Sequence, residues 1–290
     1  MREKVKLYVS AAILILFIPW LLTVYLWGGG SRFSASSGED EQLEEQVVRV
    51  LAAEIPADYD LECLKAQAVI VRTNLSREGE DAEKGWDEAA MREAWGEAYE
   101  KNLDKIQTAV SETEGLVLTY EGELILAAYH RASNEKTRNA EEVPGQEAYT
   151  WLQSVPCQED ILAEGFLYVG YMEKEELAAA LAELFPDEEM NAEDLPGTLR
   201  IAERDSADYV TQVQYGETIV NGEAVRSALE LQSSCFYFSE LEGKIRIVTK
   251  GIGHGLGFSQ YGAERMAEQG AVYTELLSYF YQGVKIEKLQ

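Results

Sequence analysis

The sequence predicts an α+β fold, on three observations. Long helical patterns fill the first part of the chain, strand-like runs cluster later, and no regular strand–helix alternation appears that would build a doubly wound sheet. With 290 residues, 46% of them hydrophobic, the chain can bury one large core or two small ones.

Leu7 to Trp27 contains no charged residue, and its 21 residues suit a bilayer core. Arg2, Lys4 and Lys6 precede it, so the N-terminus is expected in the cytoplasm and the remainder outside. The run is longer than a cleavable signal's apolar stretch of roughly 7–15 residues. Trp20, Tyr25 and Trp27 read as interfacial anchors. The expected organisation is a cytoplasmic stub and uncleaved signal anchor over residues 1–27, a Gly/Ser-rich linker over 28–41, and a mixed helix/sheet extracytoplasmic domain over 42–290.

Glu41 to Glu54 places Leu43, Val47, Val48 and Leu51 at near-helical spacing, giving an amphipathic helix with an acidic outer face that ends near Pro56. Asp58 or Asp60 can cap a second helix reaching about Arg77, with Leu61, Leu64, Ala68, Val71 and Leu75 on one face. Trp86 to Thr113 reads as helical and mostly polar. Leu116 to Tyr120 and Leu124 to Tyr129 read as strands of a hairpin turning at Glu121-Gly122, followed by a polar loop from Arg131 to Tyr149. Glu173 to Leu184 is a predicted helix, and 209–215, 217–220, 236–238 and 245–249 are predicted strands. Two helices, from Ala263 to Gln269 and from Tyr273 to Tyr281, complete the pattern.

Charge excludes some functions. A net charge of −27 argues against nucleic acid and against anionic lipid head groups. Cys63, Cys157 and Cys235 are far apart and form no recognisable disulfide framework or zinc motif. Two histidines cannot build a His-rich metal centre, so no metal and no cofactor is expected.

The chemistry concentrates in Gly251 to Ala263, GIGHGLGFSQYGA, with five glycines among its first twelve residues. Each glycine would cost a helix about 1 kcal/mol relative to alanine, so the backbone here bends unusually or approaches something closely. His254, Ser259, Gln260 and Tyr261 decorate it, which points to a ligand. The spacing matches neither the dinucleotide G-x-G-x-x-G nor the P-loop. Taken singly, the other polar residues read blandly. Glu62 complements the dipole of its helix, Gln67 and Arg72 face solvent, His130 ends a strand, and Tyr261, Tyr279 and Tyr281 are half-buried aromatics.

Together they are specific. ECLKAQAVIVRT (Glu62 to Thr73), AAYHRAS (Ala127 to Ser133), VNGEAVRSALELQSS (Val220 to Ser234), GIGHGLGFSQYGAERMAEQG (Gly251 to Gly270) and YFYQGVKI (Tyr279 to Ile286) occur in one order. In this the chain resembles the stage II sporulation protein D family. The resemblance implies a lytic transglycosylase that cuts peptidoglycan glycan strands between N-acetylmuramic acid and N-acetylglucosamine and leaves 1,6-anhydro ends. It implies a partner amidase that first strips the stem peptides, engulfment membrane proteins as further partners, and a catalytic glutamate at Glu62. The glycine-rich segment would wall a substrate groove. His130, Ser133, His254, Ser259, Gln260 and Tyr261 would bind sugar, Tyr261 and Tyr281 would stack on sugar faces, and Gln67 and Arg72 would brace Glu62 or bind substrate. A general acid wants a raised pKa, yet a helix N-terminus and Lys65 both favour the anion; desolvation in the groove is expected to prevail. Two departures stand out. The family's His-Ser-Thr-Ser-Gly-Gly is His130-Arg131-Ala132-Ser133-Asn134-Glu135 here, and its Arg-Thr-Tyr is Arg72-Thr73-Asn74. The extra Cys and His residues of zinc-binding members are missing. Proteins resembling amidase enhancers share the domain, so a non-catalytic enhancer or glycan-binding protein is the alternative.

Overall fold

The computed structural model describes residues 37–79 and 84–289. The expected membrane anchor lies outside the described residues, as does most of the linker. Among the described residues, no helix is long and apolar enough to cross a membrane.

The α+β architecture is observed. Among the described residues, four helices come first: α1 (Ser37–Glu54), α2 (Leu61–Glu78), α3 (Glu88–Trp95) and α4 (Tyr99–Glu112). The carboxylate of Asp60 caps α2, and a one-turn 3-10 segment at Gly96–Ala98 breaks the predicted third helix into α3 and α4. Helix α2 is the heart of the first core. Cys63, Leu64, Ala66, Val69, Ile70 and Leu75 are all buried, because α2 is enclosed by α1, α4 and the strand β1 (Leu116–Tyr120). At an order of 2 kcal/mol for each fully buried large aliphatic side chain, this enclosure is a main source of stability.

β1 pairs antiparallel with β2 (Glu123–Leu124) across the predicted turn, where Glu121 and Gly122 both have positive φ, as a two-residue hairpin needs. The predicted strand over 124–129 is interrupted. Only β3 (Tyr129–His130) continues it, because the Asn74 side chain takes over both backbone groups of Ala127, at 3.0 Å each.

A second core gathers Leu177, Leu181, Phe185, Val210, Val213, Val225, Phe236 and Ile245. It is built from β4 (Leu167–Met172), α5 (Lys174–Leu181), β5 (Arg200–Arg204), β6 (Val210–Tyr215), β7 (Thr218–Asn221), α6 (Gly222–Ala228), β8 (Phe236–Leu241) and β9 (Lys244–Lys250). Two antiparallel sheets, β4-β9-β8 and β5-β6-β7, form there. The chain then returns to the first core through β10 (Phe258–Ser259), α7 (Gln260–Glu268), α8 (Tyr273–Phe280) and β11 (Lys285–Lys288). β10 runs parallel to β3, with Ser259 opposite His130, and β11 closes the first sheet beside β1.

The glycine-rich segment therefore carries the chain from β9 of the second core back into the first, where Leu256, Phe258 and Ala263 are buried. At Gly257, φ is +69°, and an added Cβ would lie 2.1 Å from the carbonyl oxygen of Ala128. Substitution meets both backbone strain and a steric clash. Gly257→Ala is expected to destabilise the protein by roughly 2–4 kcal/mol in urea unfolding; an unchanged midpoint would contradict this close approach.

Candidate active site at the N-terminus of the central helix

Three helix N-termini meet around Glu62. The Asp60 cap accepts the Glu62 N–H at 2.8 Å, and the Asp60 N–H is donated to Glu264 of α7 at 2.6 Å. Glu62 Oε2 accepts the N–H of Tyr273, the first residue of α8, at 2.9 Å. Its Oε1 accepts Lys65 Nζ at 2.6 Å. The carboxylate thus satisfies an otherwise orphaned helix-end donor while a quarter of its side chain (26%) stays exposed. Burial pushes this carboxyl up, but the Lys65 hydrogen bond, the Tyr273 N–H and the Lys65 charge together outweigh burial and hold it below the ordinary carboxylate value. The expectation that desolvation prevails is corrected: Glu62 is ionised at neutral pH. Glu264 was not singled out from the sequence. Burial holds its carboxyl above the ordinary value against the pull of the Asp60 N–H.

The loop after β3 is tied to the glycine-rich segment by main chain and by one unpredicted carboxylate. Arg131 N and Ala132 N donate to Ile252 O, and Tyr261 N donates to Arg131 O. Asp160, on a 3-10 turn (Gln158–Leu162), is fully buried. Its Oδ2 accepts Ser133 N at 2.6 Å, Ser133 Oγ at 2.7 Å and Ser259 Oγ at 2.8 Å. Ser259 Oγ in turn caps α7 through Gly262 N. A Cβ at Gly262 would come within 2.9 Å of Asp160 Oδ1, so the glycine inside this helix makes room for the carboxylate.

Burial raises the Asp160 carboxyl from 3.8 to about 6, against the pull of the serines. The neutral form is therefore favoured by folding. This contribution is fully present below pH 3.8 and is lost as pH rises through 6, amounting to about 3 kcal/mol. Burial lowers both histidines, His130 to about 3 and His254 to about 4, so their contribution has the opposite sense. Subtracting the stability–pH curve of Asp160→Asn from that of the parent is expected to isolate a fall between pH 4 and 6.5. A flat difference would show that Asp160 is not held this way.

The predicted site residues divide. Gln260 and Tyr261 lie on the first turn of α7, and Gln260 O faces Cys63 Sγ at 3.7 Å, one residue from Glu62. Gln260 Nε2 is committed to Glu54 O. Ser133 and Ser259 are buried on Asp160. His130 is buried with Nδ1 3.0 Å from Leu256 O, while His254 accepts Leu256 N at Nδ1, with the two rings 5.9 Å apart. His254 lines a cavity of about 740 Å³ with Asn74 and Glu78 of the last turns of α2 and Arg226 of α6. Gln67 and Arg72 do not face solvent: both are fully buried. Arg72 lies ten residues along α2 from Glu62, roughly 15 Å away, and cannot brace it directly. Tyr281, expected to stack on a sugar, has no face free; it is fully buried and donates to Ala128 O at 2.7 Å. Among the described residues, no three His, Cys, Asp or Glu side chains converge as a metal site.

A family model described as stage II sporulation protein matches residues 35–120. The stage II sporulation protein D of Bacillus amyloliquefaciens is 33% identical over 274 residues, covering 89% of this chain and 77% of that protein. That of Bacillus subtilis (strain 168) is 32% identical over 275 residues, covering 89% and 78%. The amidase enhancer of Bacillus subtilis (strain 168) is 26% identical over 291 residues, covering 82% of this chain and 39% of that protein. At one third identity over nearly its whole length, this chain belongs to the stage II sporulation protein D family.

Proposed function

We propose that this chain is a peptidoglycan lytic transglycosylase of sporulation, anchored in the membrane by Leu7 to Trp27 with its domain outside the cell. The observation that carries the reading is the placement of Glu62. It is a partly exposed carboxylate held from two sides, by Tyr273 N–H and Lys65 Nζ, where α2, α7 and α8 meet. One carboxyl group suffices for this reaction, because the sugar supplies its own nucleophile. Glu62 in its acid form gives its proton to the bridging oxygen as the C1–O bond breaks. The carboxylate then removes the proton of the C6 hydroxyl as that oxygen bonds to C1, which regenerates the acid. Ordinary glycosidases need a second carboxyl to activate water or to attack C1; here that requirement falls away. Tyr261 and the backbone of the glycine-rich segment would orient the sugar, on strands already stripped by an amidase.

A second reading is favoured by the ionised state of Glu62 and its use as a helix-end acceptor. In it the chain stimulates an amidase without cutting glycan, as the name of its amidase-enhancer relative suggests. Incubating the detergent-solubilised full chain with denuded glycan strands separates the two. Fragments with 1,6-anhydro ends in the mass spectrum are expected. Their absence, together with amidase stimulation that survives Glu62→Gln, would establish the second reading.

A further inference from the structure

Lys65 is shared between two carboxylates. Its Nζ lies 2.6 Å from Glu62 Oε1 and 2.5 Å from Glu112 Oε2, and its side chain is only 12% exposed. Glu112 is the last residue of α4, lies outside every motif above, and keeps 49% of its side chain in water. The three groups carry a net charge of −1, so one ammonium serves two anions of unequal exposure.

From this geometry we propose that Glu112 is a positioning residue for Glu62: it keeps Lys65 paired whenever Glu62 becomes neutral. The inference rests on the reading of Glu62 as the acid. If Lys65 had Glu62 as its sole partner, protonating Glu62 would strand a largely buried ammonium, and that cost would hold Glu62 ionised. With Glu112 present, the ammonium retains an ion pair through the acid state. A sugar covering the exposed edge of Glu62 removes water from that carboxylate and favours its neutral form. The ammonium can then rest on Glu112 while Glu62 takes a proton from solvent, keeping only Tyr273 N–H as a fixed partner.

The other charged groups around this turn are committed elsewhere. Lys105 of α4 donates to Asp58 O and Tyr59 O, Asp60 caps α2, Glu264 of α7 accepts the Asp60 N–H, and Glu275 of α8 accepts the Val272 N–H. On α1, Glu44 pairs with Arg72 at the far end of α2. None of these contacts involves Glu112, so a substitution there acts on Glu62 through Lys65 and through its own lost charge. Both effects lower the Glu62 pKa.

The test is a carboxyl carbon NMR titration of the full chain in detergent, with the Glu62 resonance assigned by its loss in Glu62→Gln. In Glu112→Gln the Glu62 midpoint is expected to fall by about one unit, and in Lys65→Met to rise by at least as much. Glu112→Asp is expected to restore the parent midpoint in part. A negative charge at the end of a helix opposes its dipole, so Glu112→Gln is not expected to cost folding. A Glu62 midpoint that stays put or rises in Glu112→Gln overturns the proposal. If the parent releases anhydro fragments, the Glu112→Gln activity at neutral pH should fall about tenfold, with the acid side of its pH profile displaced downward. If the parent releases none, the reading of Glu62 as an acid fails, while the titration still decides whether Glu112 sets its proton affinity.

Discussion

Glu62→Gln is expected to reduce release of 1,6-anhydro fragments by about 10²–10⁴-fold, the usual contribution of a positioned general acid and base. The fold should survive. Glutamine retains an oxygen for the Tyr273 N–H, and Lys65 retains Glu112. The lost ion pair is partly solvated, so the unfolding free energy from urea titration should fall by no more than about 1 kcal/mol. The pH dependence carries a sign. The Glu62 carboxyl is held below its ordinary value by Lys65 and by Tyr273 N–H, which together outweigh burial. The acid form is therefore scarce in the free protein at neutral pH and grows as pH falls. In the parent, kcat/KM should climb from pH 8 toward pH 5, whereas the residual activity of Glu62→Gln should lack that limb. Undiminished product from Glu62→Gln, measured by mass spectrometry of the fragment ends, would remove Glu62 from the reaction.

Local signals were readable from the sequence, and long-range pairings were not. A capping aspartate at 58 or 60, which the structure resolves to Asp60, and the apolar spacing from Leu61 to Leu75 announced α2, and Glu121-Gly122 announced the hairpin, because both depend on residues within a few positions of each other. The glycines of 251–257 signalled close backbone approach, and Gly257 makes one against Ala128. Asp160 gave no such signal. It sits in a stretch without period, and its partners are 27 and 99 residues away. β4 was missed because Leu167, Tyr168, Val169 and Tyr171 are all exposed, so its two faces do not alternate in character. Glu62 was legible only through its motif. The lowering of its pKa comes first from Lys65, three residues on in the same helix, and then from Tyr273, 211 residues on, a contact that exists only once α8 docks on α2.

Arg72 shows the same limit from the side of stability, and its removal should give the largest stability loss at any predicted site residue. An arginine near the end of a helix reads as solvated, but this guanidinium is wholly buried. Its Nε and Nη2 fork onto the two oxygens of Glu44 at 2.7 and 2.6 Å. Nη1 donates to Leu116 O at 3.1 Å and Nη2 to Val110 O at 3.3 Å. Glu44 also accepts Gly115 N at 3.0 Å, so one ion pair joins α1, α2, the end of α4 and the start of β1. Arg72→Met strips the Glu44 carboxylate of its cationic partner, leaving it the Gly115 N–H alone, and takes one donor each from Leu116 O and Val110 O, so it is expected to lose about 3–5 kcal/mol in urea unfolding. Arg72→Lys should recover little, because a single ammonium cannot match a two-pronged carboxylate contact and reach two carbonyls as well. Removing both charges, in Arg72→Met with Glu44→Met, should be less harmful than Arg72→Met alone, since no unpaired anion remains. Folded Arg72→Met protein, studied well below its melting range, should retain the KM of the parent. A raised KM without any shift in the unfolding midpoint would instead return Arg72 to the substrate-binding role that its motif suggested.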